Sequence, residues 1–220
     1  MSISITKGYV EVPTVYELDH PLAAHHLSIL RDVGTSSPVF RNQVRLLAML
    51  LAVKATEDLG LESVSVQTPL TRMEGKRITG RVAIVPILRA GLGLVEPVLE
   101  LLPDAQVWHL GMYRDEATAT PVEYYSKLPK DNPATVGFVL DPMLATGGSI
   151  GAAVNALQRW GVADVRVLSV IAAREGIDRF HAEHPNVRVY VAAIDNELNA
   201  HKFIVPGLGD AGDRIFNTVS

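Results

Sequence analysis

The stretch Asp141–Ser149, DPMLATGGS, joins one carboxylate to a cluster of small and hydroxyl-bearing residues. It follows an apolar run that ends at Leu140, so we expect it at the carboxyl end of a strand, where open α/β sheets bind ligands. Free N–H groups at the start of a following helix, with the hydroxyls of Thr146 and Ser149, suit a phosphate. The carboxylate suits sugar hydroxyls or a metal ion instead. A phosphorylated sugar would therefore satisfy both ends of the stretch.

Two better-known phosphate motifs do not fit this stretch. A P-loop requires a lysine after its glycines, and none follows Gly147 or Gly148. The dinucleotide fingerprint G-x-G-x-x-G is also missing after the first apolar strand. From these residues alone, a purely structural turn whose glycines relieve backbone strain stays open as the alternative.

A second candidate is Arg89, which follows the apolar run VAIVPIL and precedes Gly91 and Gly93. This order predicts an arginine at the same edge of the sheet as Asp141. Arginine makes charge-assisted, bidentate contacts with phosphate groups, so a diphosphate is a suitable partner. A solvated arginine in a surface loop is the alternative.

A third candidate region lies near the C-terminus, where FIVPGLGDAGDRIF holds three glycines and two aspartates between Gly207 and Asp213. The composition predicts a tight, irregular loop. The spacing of its acids is wrong for a calcium loop. A plain turn stays open from the spacing alone.

Arg114 lies near the end of the strand-like segment VWHLGMYRD, which together with PVEYYSKLP flanks EATAT. The pattern predicts a β-hairpin with a mobile tip of small residues. Arg114, followed by Asp115 and Glu116, would lie at its base. An exposed surface ion pair is the alternative interpretation of these charges.

The remaining chain supplies elements that could position these residues. Apolar residues at helical spacing predict a helix from Pro21 to Gly34 and a longer one from Ser36 or Ser37 to Gly60. From Gly80 onward, Val- and Ile-rich runs alternate with helical segments. This order predicts a parallel sheet covered on both faces. We therefore expect one α/β domain over residues 1–220, with a helical N-terminal addition.

Composition narrows the functional class. The formal net charge is −4 and no block of Lys and Arg stands out, so we expect neither nucleic acid nor a membrane as a partner. Cysteine is absent, which excludes disulfides and thiolate chemistry and suits a reducing compartment. The N-terminus lacks a signal-peptide pattern, and we expect a cytoplasmic protein. His25 and His26 lack a third ligand at metal spacing, so we interpret them as surface or packing residues.

The stretch from Asp141 resembles the loop that binds 5-phospho-α-D-ribose 1-diphosphate (PRPP) in type I phosphoribosyltransferases. Its Asp-Pro pair, where many relatives carry two acids, is similar to the uracil phosphoribosyltransferase branch. VPILRAGLG and FIVPGLGDAGDRIF are similar to further motifs of that branch, in the same order, and the resemblance runs from HPLAAHHLSILRD to the C-terminus. It implies a type I phosphoribosyltransferase-like α/β fold, with a parallel central sheet flanked by helices, a helical N-terminal addition and a β-hairpin arm.

The resemblance also implies roles for individual residues. Asp141 would hold the ribose hydroxyls, and Ala145 to Ser149 the 5′-phosphate. Arg89 and Arg114 would bind the diphosphate, with the hairpin tip closing as a lid. The residues implied for PRPP are Arg89, Arg114, Asp141, Pro142, Met143, Leu144, Ala145, Thr146, Gly147, Gly148, Ser149 and Asp210. Those implied for uracil are Ile204, Gly209, Asp210 and Ala211, through main-chain groups, and a donor facing O4 would reject cytosine. Arg89, Arg114 and Asp210 are the expected catalytic residues.

On this resemblance the reaction is uracil + PRPP → UMP + diphosphate, with Mg²⁺ held mainly through PRPP oxygens and water rather than by protein ligands. A homodimer or larger homo-oligomer is implied, with the apolar N-terminal helices as a contact. Some relatives are activated by GTP, and the basic segment TRMEGKRITG from Thr71 would contribute to such a site. Phe203 replaces a usual tyrosine and Asn217 a frequent glycine, which puts any hydrogen bond from that tyrosine in doubt.

Two other functions stay open. An RNA-binding regulator on the same fold would need a basic face, which the net charge of −4 does not favour. A phosphoribosyltransferase for another base, such as a purine, would need a different C-terminal loop.

Overall fold

The protein is described from a computed structural model, which covers residues 14–114, 121–126, 128–129 and 131–218, with only the backbone over 111–114 and 121–126. The helices are α1 (Pro21–Arg31), α2 (Ser37–Ala55), α3 (Leu92–Leu101), α4 (Gly148–Trp160), α5 (Arg174–Glu183) and α6 (Ala211–Phe216). The strands are β1 (Val15–Glu17), β2 (Leu61–Gln67), β3 (Arg72–Ile78), β4 (Val82–Pro86), β5 (Gln106–Val107), β6 (Leu110–Arg114), β7 (Pro121–Ser126), β8 (Val136–Leu140), β9 (Met143–Leu144), β10 (Asp164–Ala173), β11 (Arg188–Asp195), β12 (Glu197–Leu198) and β13 (Ile204–Val205).

A parallel sheet forms the centre of the molecule, in the strand order β1-β11-β10-β8-β4-β5, with β9 also paired to β10. The long apolar strands are buried because helices cover both faces. On one face the core includes residues of α1, α2, α3 and α6, and on the other it includes residues of α4 and α5. The predicted α/β architecture is confirmed.

The two N-terminal helices are shorter than the sequence predicted. The end of α1 is followed by a turn in which the Asp32 carboxylate accepts a hydrogen bond from the Gly34 amide at 2.7 Å. After Ala55, the Thr56 hydroxyl donates to the Ala52 carbonyl at 2.8 Å, and a turn brings Gly60 beside Thr79. The glycines therefore lie beyond the helix ends, and these local turns decide the boundaries.

Two antiparallel hairpins extend the architecture. The basic segment from Thr71 forms β3, which pairs with β2 in an exposed hairpin. The predicted hairpin arm is formed by β6 and β7, with an irregularity between Gly111 and Met112. Its tip, including Asp115 and Glu116, lies outside the described residues. Among the helices of the described ranges, none has the length and apolar character needed to cross a membrane.

Candidate functional site

The stretch Asp141–Ser149 lies at the carboxyl edge of the parallel sheet, as its sequence predicts. Strand pairing with β10 stops after Leu140 and resumes in the same register at Met143, opposite Ile171. The Pro142 carbonyl accepts hydrogen bonds from the amides of Val170 and Ile171, at 3.1 and 3.0 Å. Asp141 and Pro142 therefore interrupt the strand without detaching it from the sheet. This pairing fixes the position of the loop that follows.

Gly147 and Gly176 let the chain turn tightly from β9 into α4. Gly147 is the N-cap of α4 with φ +80°, and a Cβ atom there would lie 3.3 Å from Cβ of Phe180. A Cβ atom on Gly176 would lie 1.8 Å from the Ala145 carbonyl oxygen, so only glycine allows α5 to approach this loop. Gly148 and Ser149, the first residues of α4, are exposed. The N-terminus of α4 is thus accessible to an anion, which its dipole and amides favour.

Burial raises the pKa of the Asp141 carboxyl from 3.8 to about 7, against the opposing effect of a hydrogen bond from the Met143 amide. That bond reaches Oδ1 at 3.2 Å. Near neutral pH the side chain therefore exists in both protonation states. A ligand that donates hydroxyl hydrogen bonds to the carboxylate would favour the charged form.

The turn that carries Arg89 rests directly on the end of β8. The Ile87 amide donates to the Leu140 carbonyl at 2.9 Å. A Cβ atom on Gly91 would lie 2.3 Å from the same carbonyl oxygen, so this position requires glycine. The Leu88–Arg89 peptide bond is cis. Arg89 is thereby placed beside the strand that leads into Asp141.

Arg89 also reaches the C-terminal segment. Its Nη2 lies 3.0 Å from Oδ1 of Asp213. A Cβ atom on Gly212 would lie 3.7 Å from Nη2 of Arg89 and 3.2 Å from Oδ1 of Asp210. Two of the three predicted catalytic residues, Arg89 and Asp210, therefore lie close to each other, beside Gly212.

The C-terminal segment is less irregular than its composition predicted. Gly207 and Gly209 have positive φ angles of 62° and 78°, but α6 begins at Ala211. The Asp210 carboxylate caps this helix by accepting a hydrogen bond from the Asp213 amide at 2.9 Å. The predicted loop from Gly207 to Asp213 therefore ends at Asp210, because an acid at that position is a favourable N-cap.

A cavity of about 250 Å³ separates the Asp141–Ser149 loop from the C-terminal segment. Its lining residues are Met143, Ala145, Thr146, His201, Lys202, Phe203 and Ile204. Pockets for drug-sized ligands usually measure roughly 300–1,000 Å³, so this one suits a smaller molecule. Ile204 therefore lines the same cavity as three residues of the Asp141–Ser149 stretch, namely Met143, Ala145 and Thr146.

His201 and Lys202 line this cavity and were missed by sequence reasoning. They belong to a tight turn in which Oδ1 of Asn199 accepts hydrogen bonds from the amides of His201 and Phe203, at 2.9 and 3.0 Å. Lys202 has a positive φ of 66°. Their only signal in the sequence was their position just before Phe203 and Ile204.

The other predicted residues are placed as follows. Gly209 and Asp210 are exposed, whereas Ala211 is fully buried. The backbone of Arg114 ends β6, but its side chain lies outside the described part of the chain. Within the described residues, no group of three His, Cys, Asp or Glu side chains could hold a metal ion.

The sequence and structure are similar to those of known proteins. A family model described as uracil phosphoribosyltransferase matches residues 17–218. A Roseiflexus sp. (strain RS-1) protein named uracil phosphoribosyltransferase is 54% identical over 199 residues, covering 90% of this chain and 96% of the relative. One of the same name from Staphylococcus aureus (strain Newman) is 48% identical over 205 residues, covering 93% of this chain and 98% of the relative. The solved AQ2163 protein from Aquifex aeolicus superimposes with a TM-score of 0.86 at 35% identity, covering 93% of this chain and 98% of that one.

Proposed function

The chain belongs to the uracil phosphoribosyltransferase family. We propose on this basis which of its residues bind the phosphoribosyl group, the diphosphate and uracil. The protein is a pentosyltransferase that converts uracil and PRPP to UMP and diphosphate, a step of pyrimidine salvage. One observation supports the assignment of separate binding residues to the phosphoribosyl group and to uracil. The cavity beside Ile204 is shared by the loop after β9 and by the segment before β13.

The phosphoribosyl group binds along the stretch from Asp141 to Ser149. The exposed N-terminus of α4 supports a 5′-phosphate site, because Gly148 and Ser149 present it to solvent. Thr146 lines the shared cavity and can add a hydroxyl. Asp141, at the edge of the sheet, accepts hydrogen bonds from the ribose hydroxyls. Pro142 and Leu144 support this loop from the buried side.

The diphosphate binds to Arg89 and Arg114. The Arg89 side chain is 58% exposed and its ion pair with Asp213 is accessible to water, so a diphosphate can compete for the guanidinium. Arg114 is assigned from its place at the end of β6 in the hairpin arm. Both arginines would neutralise charge on the leaving group.

Uracil binds in the shared cavity and is read by the main chain of Ile204, Gly209 and Ala211, with Asp210 beside PRPP. Positive φ angles at Gly207 and Gly209 support a backbone that turns around a small ring. Phe203 lines the cavity and is 42% exposed, so its ring is available to stack on a pyrimidine. We assign this stacking role to Phe203, which needs no hydroxyl.

The donor set of this chain fits a magnesium ion held mostly by substrate. PRPP oxygens and water would supply most of its ligands, and the exposed Asp210 carboxylate beside Gly212 would be an additional protein oxygen. Bound Mg²⁺ would add positive charge beside the diphosphate.

Catalysis by these residues is electrostatic and positional. The bond at C1 of the ribose breaks with oxocarbenium character, as in other glycosyl transfers. Arg89 and Arg114 stabilise the departing diphosphate, while the C-terminal segment directs N1 of uracil at C1. No side chain of the described site needs to act as a covalent nucleophile.

A substrate panel tests this function. Purified protein is incubated with PRPP, Mg²⁺ and uracil, hypoxanthine or adenine, and diphosphate release is measured. We expect turnover with uracil alone, and none when Mg²⁺ is removed by a chelator. Turnover with a purine but not with uracil would contradict the function. RNA affinity at moderate salt would instead favour a regulator.

GTP activation and self-association are further proposals. On β3, Lys76 forms an exposed ion pair with Glu74, and Arg77 forms one with Glu62. Exposed pairs of this kind are weak enough for a nucleoside triphosphate to displace the carboxylates. Initial rates with and without GTP test this site.

The N-terminal helices α1 and α2 carry exposed apolar side chains at Leu22, Val39 and Val53, which supports at least a homodimer. Sedimentation velocity measures the oligomeric state, and a cytoplasmic location remains part of the proposal.

A further inference from the structure

A buried ion pair joins the first helix to the last long strand. Arg31 is the final residue of α1 and Asp195 the final residue of β11. Their side chains form two parallel hydrogen bonds, Nη2 to Oδ1 at 2.7 Å and Nη1 to Oδ2 at 2.8 Å. The side chains are 23% and 7% exposed. Arginine and carboxylate in this geometry fix each other in both distance and orientation.

The same pair holds the backbone of Gly207. Nη1 of Arg31 also donates to the Gly207 carbonyl at 2.9 Å, and the Gly207 amide donates to Oδ2 of Asp195 at 3.0 Å. Gly207 has a φ of 62°, and a Cβ atom there would lie 2.0 Å from the Ile204 carbonyl oxygen. Both peptide groups of this residue are therefore held by one ion pair, in a conformation that only glycine can adopt.

Gly207 lies between the residues assigned to uracil. Ile204 precedes it by one tight turn, and Gly209, Asp210 and Ala211 follow it. Main-chain recognition depends on where the backbone itself lies, because no side chain can rotate to compensate for a shift. Small misplacements of substrate-positioning groups have large effects on turnover.

A second arginine, Arg214, also connects the C-terminal segment to the end of α1. Arg214 in α6 donates to the carbonyls of Leu30 and Leu208, at 2.9 and 2.8 Å, and to the Asp32 carbonyl. The end of α1 is thus linked both to Gly207 and, through Arg214, to the part of the segment that follows it. Of the two links, the one through Arg31 and Asp195 bonds the peptide groups of Gly207 directly.

We propose that Arg31 and Asp195 are positioning residues for uracil, which set the backbone from Ile204 to Ala211 without touching the base. The inference rests on the proposed assignment of uracil to these main-chain groups. It gives the helical N-terminal addition a part in base recognition. Loss of the pair should therefore weaken uracil binding and leave PRPP binding at Asp141–Ser149 intact.

Steady-state kinetics of Arg31→Gln, Arg31→Lys and Asp195→Asn test the proposal, with uracil and PRPP varied in turn. Hydrogen bonds to charged groups contribute enough that we expect the KM for uracil to rise about tenfold or more in Arg31→Gln and Asp195→Asn. The KM for PRPP should rise less than the KM for uracil, since the phosphoribosyl loop is held by β10 and, of the residues assigned to PRPP, Asp210 alone follows Gly207. Arg31→Lys should give a smaller rise, because an ammonium group keeps the charge but not the planar fork.

Arg45→Gln is the matched control, since Arg45 also binds a carboxylate, Glu100, through two nitrogens but joins α2 to α3 on the surface. It should leave both KM values unchanged. Thermal unfolding of every variant separates stability from recognition. If Arg31→Gln does not fold, Arg31→Lys and Asp195→Asn carry the test.

The outcomes are distinct. A lower melting temperature with both KM values unchanged, or an equal rise in both, would overturn the positioning role and leave the proposed function standing. A wild-type protein without uracil turnover would instead overturn the proposed function.

Discussion

Arg89 and Asp213 are joined by an ion pair in which Nη2 lies 3.0 Å from Oδ1, and this contact connects the turn after β4 to the C-terminal segment. The hydroxyl of Thr218 donates to the same carboxylate oxygen at 2.6 Å. The pair therefore connects the residue proposed to bind diphosphate, Arg89, with the C-terminal segment proposed to bind uracil. Because the arginine is largely exposed, the pair contributes little to stability.

Arg89→Lys should therefore impair the reaction far more than the fold. A lysine cannot form the bidentate contact with diphosphate, so we expect kcat/KM for PRPP to fall about 10- to 100-fold, equivalent to about 1.4–2.8 kcal/mol. The free energy of unfolding should change by less than about 1 kcal/mol. Urea denaturation and initial-rate kinetics measure the two effects. Arg45→Lys, at an exposed pair with Glu100, is the control, and equal kinetics in both variants would contradict the assignment.

Asp210 serves as the N-cap of α6, so its substitution must separate capping from substrate contact. Asparagine caps a helix about as well as aspartate, whereas alanine costs about 1 kcal/mol. We expect Asp210→Asn to keep wild-type stability and to lose most activity, because the carboxylate assigned to PRPP is gone. Asp210→Ala should lose both. If Asp210→Asn retains wild-type turnover in the diphosphate-release assay, the residue acts only as a cap.

Asp141 should make the protein less stable as pH rises. Its folded pKa of about 7 lies above the ordinary value of 3.8, so the folded state binds more protons between these values. The free energy of unfolding therefore falls from pH 4 to pH 7, by at most about 4 kcal/mol. Asp141→Asn should remove this contribution and be more stable than wild type at pH 8, but less active. Urea unfolding at pH 5 and pH 8 measures the difference, and identical pH dependence of the two proteins would refute it.

Asp164 should behave in the opposite sense. Partial burial raises the pKa of Asp164, but its hydrogen bonds with Arg166, whose side chain is only 2% exposed, and with Arg188 outweigh this effect and hold the pKa below its ordinary range. Its contribution is present above pH 4 and is lost as pH falls through the lowered pKa. We expect Asp164→Asn to cost about 3 kcal/mol at pH 7, because the buried guanidinium loses a charged partner. Glu100→Gln, at an exposed pair, is the control for urea denaturation and should cost less than about 1 kcal/mol.

Phe203 should affect uracil more than PRPP. Stacking of a base on an aromatic ring contributes about 1–3 kcal/mol, so Phe203→Ala should raise the KM for uracil about 5- to 100-fold. Phe203→Tyr keeps the ring and should stay within about twofold of wild type. An unchanged KM for uracil in Phe203→Ala would show that the ring only covers the cavity.

Local sequence patterns were enough to predict the central architecture. Continuous Val- and Ile-rich runs identified β4, β8, β10 and β11, because strands buried on both faces need apolar residues at successive positions. Helical spacing identified the helices between them. The edge of the sheet at Asp141 followed from chain order, and the loop glycines followed from the conformations that only they adopt. These signals are local, so each can be detected within a few residues.

The packing partners of those elements could not be predicted from the sequence and are known only from the three-dimensional structure. The three-residue strand β1 pairs with β11 at the far end of the chain, and its sequence carries no periodic signal. Arg31 and Asp195, 164 residues apart, meet because α1 packs beside the end of β11. His201 and Lys202 became cavity residues through the turn held by Asn199. Such contacts depend on how distant elements pack, and the local pattern around one residue does not encode its partner.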